Sequence, residues 1–399
     1  MNKNIQMANI KTTKNSLNLK SKKPADRLFY IDNIRWLIIV FVVIDHLSVT
    51  YGNMGSWFYK EPATLDAFSF TIFGMIGSFL EAFFMGLLFF IAGYFSVSSL
   101  EKKGTEKFLK DRFIRLGIPT LVFMLILSPL TNYIILLFSH KPLFSYIFYL
   151  TSFKFLSESG PLWFCLALLG FSIIYALVNL FIKNRKEIKK FVLYNKHLIL
   201  LILILTAFTF LFRIFWSAGG SNEFVFYNLQ LGKFAQYIIL FSAGIFAFKN
   251  NLLEDVSYNS GKLWFKLALS IGIPVWIILL SVGGAIKGNI DPYFGGMHWQ
   301  SVAYALWESF FCIAISIGLL GIFRKKYNSQ GMFTNFISKN AFGVYVFHPP
   351  IIVFITMLFS GLIMYPLLKM VLMALICIPV CFLIIYFIRK IPICEKLFS

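Results

Sequence analysis

Arg35 and His46 stand eleven positions apart on one apolar segment, RWLIIVFVVIDH. At 100° per residue of an α-helix, eleven steps return to within about 20° of the starting direction and climb roughly 16 Å. Arg35 therefore belongs near one membrane surface, with His46 on the same helix face deep in hydrocarbon. An ionisable group at that depth is costly and defaults to function, and proton transfer is what an imidazole offers there. Asp45 adds a second ionisable group beside it, and Glu81, Glu308 and His348 also fall within apolar runs. So many buried ionisable groups are expected to converge on an internal cavity or to pair with one another. Pro349 and Pro350, directly after His348, release backbone carbonyls, which suits a helix opening onto such a cavity. Each group also has a packing role open to it: snorkelling for Arg35, a hydrogen-bonded structural ring for His46 or His348, helix-to-helix pairing for Glu81 and Glu308.

The elements that must position these groups are membrane helices. Of 399 residues, 58% are hydrophobic and 14% charged, too few charges for a water-soluble domain of this length. About ten runs are long enough to cross the roughly 30 Å of hydrocarbon. They lie near 34–53, 68–97, 114–138, 161–182, 197–216, 233–249, 264–284, 300–323, 341–361 and 366–388. Their length and their lack of period-2 alternation predict an all-α polytopic membrane protein rather than a barrel. The second run contains Gly74 and Gly77, which predicts a bent or tilted helix, or a re-entrant piece followed by a span.

The net charge of +20 is a topology signal. Sorting Lys and Arg by alternate loops puts about 30 of the 37 on one side. That side holds the N-terminus, Lys102 to Arg115, Lys183 to Lys196, Lys249 to Lys266, Arg324 to Lys339 and Arg389 to Lys396. The other side holds only Lys60, Lys141, Lys154, Arg213, Lys233, Lys287 and Lys369. The positive-inside rule makes the rich side cytoplasmic, with both termini inside. Residues 1–27 read as a disordered basic cytoplasmic tail, 28–390 as the membrane domain and 391–399 as a short cytoplasmic tail. Spread over separate juxtamembrane loops, the charge does not describe a nucleic-acid partner. The five cysteines have no His or carboxylate at metal-ligand spacing, so no metal is expected.

With those residues in place, the blocks become recognisable. RLFYIDNIRWLIIVFVVIDHLSVTYG (27–52) resembles the opening of the integral-membrane acyltransferase-3 family, with its arginine and histidine separated by ten residues. The likeness continues through FFIAGYFSV (89–97), FLKDRFIRLGIP (108–119) with paired arginines Arg112 and Arg115, GPLWFCLALL (160–169) and FGVYVFHPP (342–350). The GPLWF block is similar to the glucan succinyltransferase-like branch and departs from the glutamate-containing block of the O-antigen acetylase branch. The resemblance implies a stand-alone membrane module at the cell membrane, an acyltransferase for groups other than aminoacyl.

It implies transfer of an acetyl or succinyl group from cytoplasmic acyl-CoA to a hydroxyl of a cell-surface or exported glycan, with the bilayer and a carbohydrate acceptor as partners. On that reading His46 is the general base or a covalent acyl carrier, with Arg35, Glu81 and His348 as further catalytic candidates. Asp45 points about 100° away from His46, so Glu81 or Glu308 is an equally good orienting carboxylate. Arg35, Arg112 and Arg115 would hold the donor's phosphates; Arg112 and Arg115, three apart, are expected on one helix face. The other reading from the buried residues is a proton-coupled transporter or glycan exporter. In the outer loops Trp57, Tyr59, Trp216, Tyr227, Tyr293 and Trp299 suit either sugar stacking or an interfacial aromatic belt.

Overall fold

The computed structural model describes residues 27–181, 191–219 and 229–398. Residues 1–26 of the basic tail, Lys183 to Lys190 of one basic loop and the outer-loop Tyr227 lie outside the described residues. Among the described residues there are no strands, and ten helices are long and apolar enough to span a membrane. They are α1 (Phe29–Gly52), α2 (Ala67–Lys103), α3 (Thr105–Phe138), α4 (Gly160–Phe181), α5 (Asn195–Phe215), α6 (Leu231–Lys249), α7 (Tyr258–Val282), α8 (Trp299–Lys326), α9 (Met332–Leu358) and α10 (Pro366–Ile388). The protein is a multi-pass membrane protein.

The second run is one continuous helix through Gly74 and Gly77, so the re-entrant alternative is set aside. At 1.5 Å per residue its 37 residues extend about 55 Å, more than the hydrocarbon needs. Asp66 starts it by accepting the Ser69 amide at 2.6 Å. Gly104 ends it at φ 75, a left-handed conformation that lets α3 begin at the next residue. α3 is interrupted by two π turns, Phe113–Gly117 and Phe123–Leu127.

α1 is the central helix, packed against α2, α8, α9 and α10. α8 and α9 are the most enclosed spans, while α5, α7 and α10 expose the most surface, as lipid-facing helices do. α2 and α6 form the most extensive helix pair. A Cβ on Gly93 would stand 2.1 Å from the Phe241 carbonyl oxygen, and one on Gly244 would stand 2.0 Å from that of Phe90. The two backbones meet where only glycine fits, the usual way membrane helices approach closely.

Three polar clamps show which helix ends share a side. Asn33 donates to the Tyr327 carbonyl at 2.7 Å and the Ser329 carbonyl at 3.1 Å, fixing the α8–α9 linker beside the start of α1. Arg324 donates to the Leu253 and Glu254 carbonyls, tying the α6–α7 linker to the same end. At the opposite end Lys369 of α10 is 1% exposed and bonds Glu61 of the α1–α2 loop at 2.7 Å. After α10, Pro392–Leu397 form a short helix, and Phe398 is buried against Phe347 of α9.

Candidate active site

α9 runs without a break from Met332 to Leu358 despite Pro349 and Pro350, so it does not open as expected. Pro349 has no N–H to give the carbonyl four residues back, that of Tyr345. His348 takes that acceptor with its own ring, Nδ1 lying 2.8 Å from the Tyr345 oxygen and 3.3 Å from that of Val344. A carbonyl only accepts, so Nδ1 carries a hydrogen, and in the neutral ring Nε2 keeps the lone pair. That Nε2 is buried without a protein partner, and the residue is 0% exposed. The freed carbonyl fixes a tautomer instead of widening a cavity.

His46 meets this ring from α1. The two imidazoles lie 5.1 Å apart between centroids, with planes 8° from parallel. Trp57, from the α1–α2 loop, stacks on His46 at 3.8 Å and 10° and stands 5.9 Å from His348. These three distances form a triangle, so the indole covers the imidazole pair from one side rather than sitting between them. His46 Nδ1 has no protein partner either. Among the described residues no carboxylate bonds its ring: ring contacts hold it in place, while its backbone carbonyl accepts from Thr50 at 2.9 Å. Sequence reasoning placed Trp57 among several outer aromatics and missed this role. Trp216 and Trp299 are exposed, whereas Tyr293 is buried and donates to the Leu279 carbonyl at 2.8 Å.

Two of the other intramembrane acids, Glu81 and Glu308, have gone to helix pairing, while Asp45 is buried with its Oδ1 unbonded among the described residues. Glu81 binds Lys233 of α6 at 2.5 Å, and Glu308 of α8 binds Arg213 of α5 at 2.7 Å. The Glu308 pair is enclosed, at 2% and 8% side-chain exposure; Glu81 is 46% exposed. Asp45 is buried, and the Glu81–Lys233 pair is close enough to act on its charge. Lys233, Arg213 and Lys369, counted above only as outer-side charges, are thus internal partners of acids. The signal available for them was their position at or inside apolar runs.

The guanidiniums cluster at the opposite end of α1. Arg35 lies over the Phe95 ring at 4.9 Å and bonds Asp32 at 3.3 Å. Arg112 donates to the Ser96 hydroxyl at 3.2 Å and covers the Phe108 ring at 5.0 Å. The FFIAGYFSV block thus supplies neighbouring supports, Phe95 and Ser96, to the two arginines. Arg112 is half-buried, and Arg35 and Arg115 are close enough to act on its charge. Arg115 is exposed and does not share Arg112's environment. A π turn begins at Phe113, between the two, where residues three apart no longer keep the α-helical spacing. The GPLWF block supports the histidines, its Pro161 carbonyl accepting the Tyr345 hydroxyl one turn from His348.

No group of three or more His, Cys, Asp or Glu among the described residues is arranged to hold a metal ion. The family profile described as an acyltransferase domain matches residues 28–386, almost the whole chain. The chain belongs to the acyltransferase-3 family. Its matched span takes in all the elements just described except the last residues of α10 and the helix that follows. The chain is also similar to glucans biosynthesis protein C of Salmonella schwarzengrund, 32% identical over 109 residues, and to the protein of the same name from Salmonella paratyphi B, 33% identical over 109 residues. Each alignment covers 27% of this chain and 27% of the relative's length. No solved structure matches the chain.

Proposed function

We propose that this acyltransferase-family protein moves an acetyl or succinyl group from acyl-CoA to a hydroxyl of a cell-surface or exported glycan, with His46 as general base. The carrying observation is the pair of parallel imidazoles on α1 and α9, each with a nitrogen free of protein partners and both covered by Trp57. A base needs a free lone pair near the proton it takes. His46 takes the proton of the acceptor hydroxyl as the oxygen attacks the thioester carbonyl. The carbon–sulfur bond then breaks, and the coenzyme A thiolate leaves with the proton returned from His46. His348, whose Nε2 also lacks a protein partner among the described residues, stands beside His46 to share the proton between the two steps.

The donor's phosphates fit the arginine end of α1. Arg35 and Arg112 sit there on ring and hydroxyl supports, and the flexible arm of the donor runs inward along α1 toward His46. Arg115 is assigned only a general attraction at the surface. Glu81 is assigned no proton transfer, since Lys233 holds it. A carrier reading would have to rest on Asp45, buried with Oδ1 unbonded among the described residues, because Glu81 and Glu308 are both held by cations.

Replacing His46 by alanine is the direct test. Transfer from acyl-CoA should fall by at least about 10²-fold, while the variant stays inserted and monodisperse, since alanine is welcome in hydrocarbon. Near-normal transfer in His46→Ala would move the base to His348.

A further inference from the structure

Residues 139–159 join α3 to α4, and the chain does not leave the bundle there as an outer loop would. It reverses at His140, held left-handed at φ 52, and runs back down beside α3. Phe144 is already level with Tyr133, its carbonyl accepting the Tyr133 hydroxyl at 2.8 Å and its ring stacked at 4.5 Å. From the short helix Tyr146–Thr151 two phenols then reach α3: Tyr146 donates to the Leu125 carbonyl at 2.8 Å and Tyr149 to that of Met124 at 2.6 Å. α3 has both acceptors to spare. Pro129 has no N–H for the Leu125 carbonyl four residues back. The π turn hands the Ser128 N–H to the Phe123 carbonyl and away from that of Met124. Further along, Glu158 accepts from the Ser128 hydroxyl at 2.9 Å, and Gly160 lies against the Phe123 ring.

These anchors set the depth. Leu125 is thirteen positions past Arg112 and thirteen before Phe138, the last residue of α3, about 20 Å along the axis from each. Its carbonyl therefore lies well inside a hydrocarbon slab of roughly 30 Å. The polar groups of the segment suit that depth. Thr151 returns its hydroxyl to the Ile147 carbonyl at 3.0 Å, Ser152 to that of Tyr149 at 3.4 Å and Ser157 to that of Lys154 at 2.9 Å, so none of the three needs water. Lys154, whose stem is long enough to snorkel, carries its Nζ 5.3 Å from the Phe148 ring.

The segment also exposes large apolar side chains: Leu143, Ile147, Phe148 and Phe153, with Ile147 exposed by 73% and Phe153 by 65%. Ile126 and Leu130, next to the docking carbonyls on α3, are exposed as well. Apolar groups exposed on a spanning helix face lipid, and the segment continues that face. We infer that residues 143–153 form a wedge set into the leaflet remote from the arginine cluster, where Leu143, Ile147, Phe148 and Phe153 meet lipid acyl chains. In water such a surface would be an aggregation liability; among acyl chains it is matched. The wedge leads directly to Pro161, whose carbonyl accepts the Tyr345 hydroxyl one turn from His348.

The test places nitroxide labels on the full protein in lipid nanodiscs, one at a time, through Ile147→Cys and Phe148→Cys. Leu130→Cys serves as the lipid-facing control on α3 and Lys141→Cys as the reference at the reversal. Power-saturation EPR compares collision with oxygen, which concentrates in hydrocarbon, and with a water-soluble nickel chelate. Positions 147 and 148 should match position 130 for oxygen. Their nickel collision should be at least about tenfold lower than at position 141, because a polar solute is penalised on entering hydrocarbon. Leu143→Cys and Phe153→Cys repeat the measurement at the two ends of the wedge, so a label that disturbs one turn does not decide the result. Nickel collision equal to that at position 141 would make the segment an aqueous loop. Shielding from both reagents would make it a protein interface, with a second copy or another chain. Either result would overturn the assignment to lipid.

Discussion

At the scale of single residues, His348 shows how a proline two atoms of backbone away can set a ring's hydrogen. Removing the proline N–H leaves one carbonyl without its helix donor, and the imidazole supplies the replacement. Replacing Pro349 by alanine restores the competing donor, which loosens the hold on Nδ1. The sequence named Arg35, His46 and His348 from depth and type alone, and the structure brings the two histidines together. It did not reveal Trp57, because a loop tryptophan at a membrane surface has the same type and neighbours whether it faces lipid or folds back onto a ring. Nor did it show that Arg112 is half-buried and Arg115 exposed, since a π turn has no sequence signature in this apolar run. Their exposure differs, and the prediction follows it: Arg112→Lys should weaken acyl-CoA binding about tenfold by losing the planar fork. Arg115→Lys should leave binding unchanged. Titration of the purified variants with acyl-CoA distinguishes them; equal losses would put Arg115 back beside the donor.

Among the helices, the position of ten spans was legible from apolar length, while their partners were not. Apolar periodicity says little when lipid and protein interior are equally greasy, so the pairing of α2 with α6 depends on glycines whose meaning appears only when the backbones are seen to touch. Asp45 and Glu308 were legible as buried and Glu81 proves half-exposed, but the cations of Glu81 and Glu308 were misread as loop charges. Arg213 and Glu308 join α5 to α8 with almost no exposure. Glu308→Gln alone leaves a buried guanidinium uncompensated and should cost about 3–5 kcal/mol. Replacing both partners by apolar residues of similar size, Arg213→Met with Glu308→Leu, should recover most of that loss. Thermal unfolding in nanodiscs measures both; a double variant as unstable as the single would show that the pair does more than satisfy itself.

For the whole molecule, the structure groups the helix ends and the lysine and arginine asymmetry orients them. Both termini and the α2–α3 and α8–α9 turns should face the cytoplasm, with the α1–α2 and α9–α10 loops outside. Four of the five cysteines are buried and Cys394 is partly accessible, so replacing Cys394 by serine gives a quiet background. A cysteine put in place of Lys141 should react with an impermeant thiol reagent on intact cells, whereas one replacing Lys102 should react only after lysis. Labelling at position 102 in intact cells would invert the orientation and move the arginine cluster away from cytoplasmic acyl-CoA. The contact between His46 and His348 also has a meaning in time. The rings are 302 positions apart in the chain, and ribosomes add about 5–20 residues per second. The first span therefore waits on the order of 15–60 s in the bilayer, its histidine without its later partner, before α9 is made. Until then the nascent chain holds a half-site open to lipid, and whatever shields α1 during synthesis governs how much working protein a cell obtains.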